Sequence, residues 1–307
     1  MTGCTTVAPG EAAPVSQVMF FEDAERFSAL MADDGLPDAA MLQAAYIDPS
    51  SRGVEIFTPG RIQSADNLAR RIAEKPDAYR HAIEVCLPIV RDLQVSVTET
   101  LAAVSGALGM EDLEREGDYP DTVPAYFVFG AGNSGGTATA DALVIGLEVV
   151  CAGKDASNAR LALEEFVAHE VTHSYQQQAR APGAGGSLLE MVLTEGMADF
   201  MMELVLSGPN LSDADRAAYG LAHEARLWSE LKADIDSGVP GRGDWMYGPG
   251  RDGRVADLGY WIGKRICQTY YEKASDKTAA LQNLLLLEDP EAILAESGYG
   301  TQFDASP

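Results

Sequence analysis

Apolar positions return with a helical period along most of this chain. The pattern covers residues 16–32, 64–74, 77–110, 158–180, 187–207, 212–235, 255–273 and 277–287, with apolar side chains recurring three and four positions apart. The run Leu284-Leu285-Leu286-Leu287 is the core face of one such helix. Strand signals cluster only between residues 123 and 150. The stretch 124–130 is rich in aromatic and β-branched types, and 142–150 is a short apolar run between turn signals, so the two read as neighbouring strands. The expected class is α+β, mainly helical, with a small sheet. Residues 16–120 are expected to form an N-terminal helical lobe, residues 121–307 the region that carries the sheet, and residues 1–15 a flexible tether.

Composition bounds this picture. With 307 residues and 46% hydrophobic content, the chain can bury a large core as one domain or two interlocked lobes. Its 47 acidic against 22 basic residues give a formal charge of −25, which disfavours nucleic-acid backbones and anionic membranes as partners. No stretch of about 20 apolar residues is present to span a bilayer. Cys86, Cys151 and Cys267 are scattered in apolar contexts and read as buried thiols rather than a disulfide framework. A Gly- and Pro-rich segment, 238–253, is expected to flank a cleft.

One helix carries chemistry. His169-Glu170-Val171-Thr172-His173 places two imidazoles one turn apart on one face with a carboxylate beside them, the arrangement of zinc hydrolases. Residues four apart lie about 5–6 Å from each other on a helix, so both rings can reach one ion. Glu170 lies off that face, where it misses the ion yet reaches a water on it, as a general base must. A structural zinc site would close with four protein ligands, often Cys, and no Cys lies near. The metzincin spacing would need Gly and His where this chain has Gln176 and Ala179, which excludes that class.

After a break at 181–187, the apolar segment 188–200 folds back as a second helix, with Glu195 and Asp199 four apart on one face. Glu195 is the expected third ligand and Asp199 the expected partner of a ligand imidazole, that of His169. Glu190 and Glu203 are rival ligands, but they point elsewhere or lie two turns further along. Acidic groups among Leu193, Met197, Phe200 and Met201 require partners.

Together, His169, Glu170, His173, Glu195 and Asp199 resemble the gluzincin signature, HExxH followed by a helix carrying Glu-x-x-x-Asp. The spacing from His173 to Glu195 is slightly longer than in the thermolysin branch. Residues from about Tyr46 onward are similar to bacterial predicted zinc-dependent proteases of the gluzincin clan, which are often lipoproteins. The stretches 123–130, 133–137 and 143–148 look like that group's strand, Gly-rich turn and active-site edge strand, and 257–267 like its downstream helix. The resemblance implies a zincin-like catalytic region over 121–307, one Zn²⁺ per chain, and an edge strand beside the zinc helix that pairs with extended peptide substrates. It also points to Tyr260 as the donor to the oxyanion, with Tyr247 and His223 as alternatives.

The expected activity is that of a zinc metallopeptidase in which Glu170 activates a zinc-bound water, acting on peptide or protein substrates. The alternative is a non-catalytic, zinc-stabilised scaffold or peptide-binding protein of the cell envelope. Hydrolysis of a non-peptide amide or ester is a third possibility. Met1-Thr2-Gly3-Cys4 resembles the end of a bacterial lipoprotein signal, which implies lipidation at Cys4 and an envelope or periplasmic location, membrane contact being through that anchor.

Overall fold

The computed structural model describes residues 18–32, 35–113, 119–180, 186–208, 214–238, 244–251 and 253–304, so Cys4 and the tether at 1–15 lie outside the described residues. Strand β1 (Met19–Phe20) precedes the helices α1 (Glu22–Leu30), α2 (Ala39–Leu42), α3 (Arg52–Phe57), α4 (Ala65–Glu74), α5 (Pro76–Arg91) and α6 (Gln94–Leu108). Both α2 and α3 run on into π-helical turns, at Gln43–Ile47 and Thr58–Ile62. Then come β2 (Ala125–Val128), β3 (Gly136–Thr139) and β4 (Ala142–Gly146), followed by α7 (Leu147–Val150), α8 (Ala156–Ala179) and α9 (Leu188–Val205). The chain continues through α10 (Ala214–Ser237), kinked at His223, then α11 (Leu258–Lys273), α12 (Lys277–Leu286), α13 (Pro290–Ser297) and α14 (Thr301–Asp304). This is the mainly helical α+β architecture that the periodicity implies.

The sheet has the order β1-β2-β4-β3, with β1, β2 and β4 parallel and β3 antiparallel to β4. Two features depart from the sequence pattern. Residues 16–32 read as one helix, yet Met19–Phe20 is a strand in register with Ala125 and Tyr126. Two residues carry no periodicity of their own, so the partner strand decides their state. The continuous pattern over 77–110 is two helices, α5 and α6, joined at a corner where Leu93 is fully buried.

The edge strand is also not the expected one. β4 is buried along its whole length because it lies between β2 and β3, which is why its sequence is uniformly apolar. The edge is β3, whose small, half-buried residues give it the look of a turn. Thr139 pairs with Ala142 across a two-residue turn, and helix α8 packs against both β3 and β4.

Cys86 and Cys151 are not separate thiols. They form a disulfide that ties α5 to the end of α7, with Cα atoms 6.4 Å apart. Their separation of 65 residues gives no local spacing from which the pair could be read. Cys267 remains a buried free thiol.

Buried apolar side chains form a cluster that runs from Val18 and the N-terminal helices through β2 and β4 to the C-terminal helices. Where α9 crosses α11, the backbones touch. A Cβ on Gly196 would come within 2.1 Å of the Gly263 carbonyl carbon, and one on Gly263 within 1.9 Å of the Val192 carbonyl oxygen. Only glycine on both helices permits that approach. Gly263→Ala is therefore expected to lower stability by about 1–3 kcal/mol or more through overpacking, read as a lower midpoint in thermal denaturation, with a midpoint equal to the parent's showing that the crossing is looser than described.

Candidate metal centre

Helix α8 is started by Asp155, whose carboxylate accepts from the Asn158 N–H at 2.9 Å. Helix α9 is started by a capping box in which Ser187 and Glu190 each accept from the other's backbone. The two helices pack together and bring their polar faces into contact at His169, His173, Glu195 and Asp199. The rivals of Glu195 are occupied elsewhere: Glu190 closes the capping box, and Glu203 pairs with Lys264 Nζ at 2.6 Å.

Three ligand atoms converge. His173 Nε2 lies 3.0 Å from His169 Nε2 and 3.0 Å from Glu195 Oε2, and His169 Nε2 lies 3.4 Å from the same oxygen. A tetrahedral zinc ion with bonds of about 2.0–2.2 Å separates its ligands by about 3.4 Å, so this triangle is close to the size the ion requires. Two imidazole nitrogens and one carboxylate oxygen are a donor set that suits zinc. The group fits.

Both rings are turned so that Nε2 faces inward, because Nδ1 is held from behind. His169 Nδ1–H donates to Asp199 Oδ1 at 3.0 Å. His173 Nδ1–H donates to Gln176 Oε1 at 2.8 Å, and the Gln176 amide donates in turn to the Thr194 carbonyl at 2.9 Å. The other oxygen of Asp199 accepts from Arg216 at 3.2 Å, and the Arg216 guanidinium lies 5.0 Å over the Tyr260 ring. Glu195 Oε1 accepts from the Tyr247 hydroxyl at 2.6 Å. Each first contact with an ion is thus backed by a second hydrogen bond that fixes its direction.

Glu170 sits against the edge strand. A Cβ on Gly136 would fall 2.3 Å from Glu170 Oε1, and one on Gly135 would fall 2.4 Å from the Phe166 ring. These two glycines let β3 close on α8 with the carboxylate between them. Burial raises the proton affinity of Glu170, and the two imidazoles only partly offset it. Burial acts in the same direction on Glu195, yet the neighbouring imidazoles outweigh it and hold Glu195 well below the usual carboxylate range. Asp199 is lowered too, its burial overridden by His169 and Arg216.

A cleft of about 950 Å³ opens onto His169, Glu170 and Glu195, with β3 and Tyr260 on its walls. Tyr260 lies parallel to His169, ring centroids 6.3 Å apart, and among the described residues its hydroxyl has no hydrogen-bond partner. Burial and the nearby Glu195 push its proton affinity up, so the hydroxyl keeps its proton. Tyr247 lines the same cleft with its hydroxyl already on Glu195, while His223 is stacked edge-on against Tyr219 and is not part of the cleft wall. The segment 238–253 borders the cleft through Tyr247, and beside it Trp245 is fully buried with its indole N–H on Asp234 at 2.7 Å.

The sequence does not mark Gln176 or Arg216 as parts of this site, and it places Gly136 only within a Gly-rich turn. Gln176 had a signal, since it lies three residues past His173 on the same helix. Arg216 and Gly136 come from other elements, and only the fold brings them here.

Fold and site together define a mainly helical α+β protein with a His-His-Glu group able to hold a metal ion. The chain belongs to the family described as predicted Zn-dependent protease (DUF2268), whose model matches residues 124–294, more than half of its length. No curated protein and no solved structure matches it.

Protons and metal compete for this group. Burial alone would lower the His169 imidazole, but Asp199 and Glu195 lift it to about 10, and His173 is raised as well by Glu195. A raised folded-state value means that the charged His169 stabilises the metal-free fold fully below its ordinary 6.5, and that this contribution fades as pH climbs toward 10. Metal must displace the same protons, so its affinity moves the other way. Zinc affinity, measured by competition with a chromophoric chelator, is expected to rise with pH from 6.5 toward 10, while stability of the chelator-stripped chain falls; a pH-independent affinity would show that the imidazoles do not bind the ion. Gln176→Ala is expected to weaken zinc binding by about 10- to 100-fold in the same assay.

Proposed function

We propose that this chain is a zinc-dependent metallopeptidase of the gluzincin type. The convergence of His169, His173 and Glu195 on one point, with Glu170 beside them and out of the triangle, carries that reading. The family assignment supports it. When bound there, zinc supplies Lewis acidity to oxygen atoms in the cleft.

The chain's own residues supply the rest. Glu170 accepts a proton from water in the cleft and returns it to the leaving amine. Its raised proton affinity suits a group that must do both near neutral pH. Tyr260 offers a protonated hydroxyl to the oxygen that gains charge, and its parallel contact with His169 keeps it at the metal end of the cleft. Tyr247 serves differently, holding Glu195 from the side opposite the imidazoles. The edge of β3 runs past Glu170 with its Gly136 and Ala138 carbonyls held by Ser134 Oγ and Gln177 Nε2, and an extended peptide that displaces these side chains and adds to the edge places a carbonyl near the carboxylate without demanding particular side chains.

The disulfide between Cys86 and Cys151 supports a setting outside the reducing cytosol, in keeping with the cell envelope suggested by the residues around Cys4. A non-catalytic peptide binder would share the metal group and the edge strand, but it has no use for a carboxylate buried beside them.

Glu170→Gln is expected to keep one zinc per chain by elemental mass spectrometry and to lose about 10²–10⁴-fold in peptide turnover, with Tyr260→Phe losing about 10²–10³-fold in kcat. Turnover by Glu170→Gln at the parent's rate would remove the carboxylate from the mechanism.

A further inference from the structure

Arg61 is a cation that makes no hydrogen bond to the metal centre and acts on it only through its field on Glu170. It lies in the π-helical turn Thr58–Ile62 and lines the cleft shared by His169, Glu170 and Tyr260. Its backbone is pinned: Asn133 Nδ2 donates to its carbonyl at 3.1 Å, Gln63 N–H donates to Thr58 O at 2.5 Å, and Asn67 Nδ2 donates to Ile62 O at 2.8 Å. The guanidinium reaches the edge strand, where Nη2 donates to Thr137 Oγ1 at 3.3 Å.

Beyond that contact no described residue hydrogen-bonds the guanidinium. Its Nε is buried without a hydrogen-bond partner, and among the described residues no carboxylate lies within ion-pair distance of it. The other arginine on the cleft wall, Arg216, is by contrast paired with Asp199. A chain with 47 acidic and 22 basic residues has carboxylates to spare for its cations. Holding a guanidinium in a cleft with donors unfilled is a feature of sites that receive an anion, since a planar fork of N–H groups matches a carboxylate on both oxygens. Lys154 lines the same cleft, and among the described residues it too makes no ion pair.

Resting on the peptidase reading above, we infer that Arg61 is a specificity-determining residue that binds a carboxylate of the peptide lying along β3. The carboxylate is either an acidic side chain near the scissile bond or the chain's own C-terminus. The geometry follows from the cleft: Arg61, Gly135, Gly136 and Glu170 line the same space, so a guanidinium held on the Thr137 hydroxyl borders the room that a peptide lying along β3 would occupy. Arg61 lies outside the 124–294 segment matched by the family, so the N-terminal part of the chain sets what the cleft accepts.

The test compares peptides that differ only by Glu against Gln at single positions, each with a free and with an amidated C-terminus, as substrates of the zinc-loaded parent, Arg61→Gln, Arg61→Lys and Arg61→Glu. A charge-assisted pair predicts a ratio of kcat/KM favouring the carboxylate peptides by about 10- to 100-fold in the parent. That ratio should fall to near one in Arg61→Gln, be partly kept in Arg61→Lys, and invert in Arg61→Glu. Loss of preference on amidation alone assigns the C-terminus, and loss at one Glu-to-Gln position assigns a side chain. A parent without preference, or a ratio unchanged in Arg61→Gln, overturns the inference. Fluorescence anisotropy of the same labelled peptides on zinc-loaded Glu170→Gln separates this from the peptidase reading. Arg61-dependent binding with no cleavage by the parent keeps the anchor and rejects the peptidase, whereas cleavage without preference does the reverse.

Discussion

Three buried carboxylates and two half-buried imidazoles meet between α8, α9 and the edge strand, and the rest of the structure is arranged around satisfying them. A charge removed from water without a partner carries a penalty of several kcal/mol, far more than any one apolar contact returns. Four of the five therefore have a designated neighbour, Asp199 for His169, Gln176 for His173, Tyr247 for Glu195 and Arg216 for Asp199, while Glu170 is offset by the fields of the two imidazoles and Arg61. Such a network is cooperative. Each hydrogen bond fixes the tautomer or orientation that the next one needs, and the result is that both Nε2 atoms and one carboxylate oxygen face a common point.

Rigidity on that scale depends on backbones that approach closely. Gly135 and Gly136 let β3 rest on α8, and Gly196 and Gly263 let α9 lie against α11. Through these contacts the positions of Glu170, Glu195 and Tyr260 are set by packed elements instead of by loops. The wall on the other side is held by buried polar groups. Glu148 accepts from the Gly130 and Gly132 N–H groups, while the Tyr46 and Tyr79 hydroxyls take the carbonyls of Phe129 and Gly130. That segment leads directly into the glycines of β3, so the N-terminal helices, which supply both tyrosines, help to place the strand beside the site.

Much of this was legible in the sequence, and the boundary between legible and hidden has a physical basis. Helical periodicity and the HExxH spacing are local, so α8, α9 and the faces bearing His169, His173, Glu195 and Asp199 follow from counting residues. The sequence points to β4 as the edge strand because apolarity reports burial, and β4 is apolar as an interior strand. β3 is made of Gly, Thr and Ala, which carry little pattern, and its identity comes from pairing with β4 and from the room Glu170 needs. The strand Met19–Phe20, the Cys86–Cys151 bond and the contacts of Arg216 join positions distant in sequence, and no spacing rule reaches them.

A division of labour follows from where the residues come from. Everything that holds the ion or backs its ligands, from Gly136 through His169 and Glu195 to Tyr260, falls inside the segment the family shares. The cleft itself is wider, and Gly60 and Arg61 of the turn at Thr58–Ile62, which lie outside that segment, also line it. Changes on α8 or α9 disturb several buried charges at once, so the chemistry has little freedom to vary. The turn bearing Arg61 touches that network through one hydroxyl and a longer-range field on Glu170. Under the peptidase reading proposed above, substrate preference would shift at this turn with little cost to the metal group, because the two share few contacts.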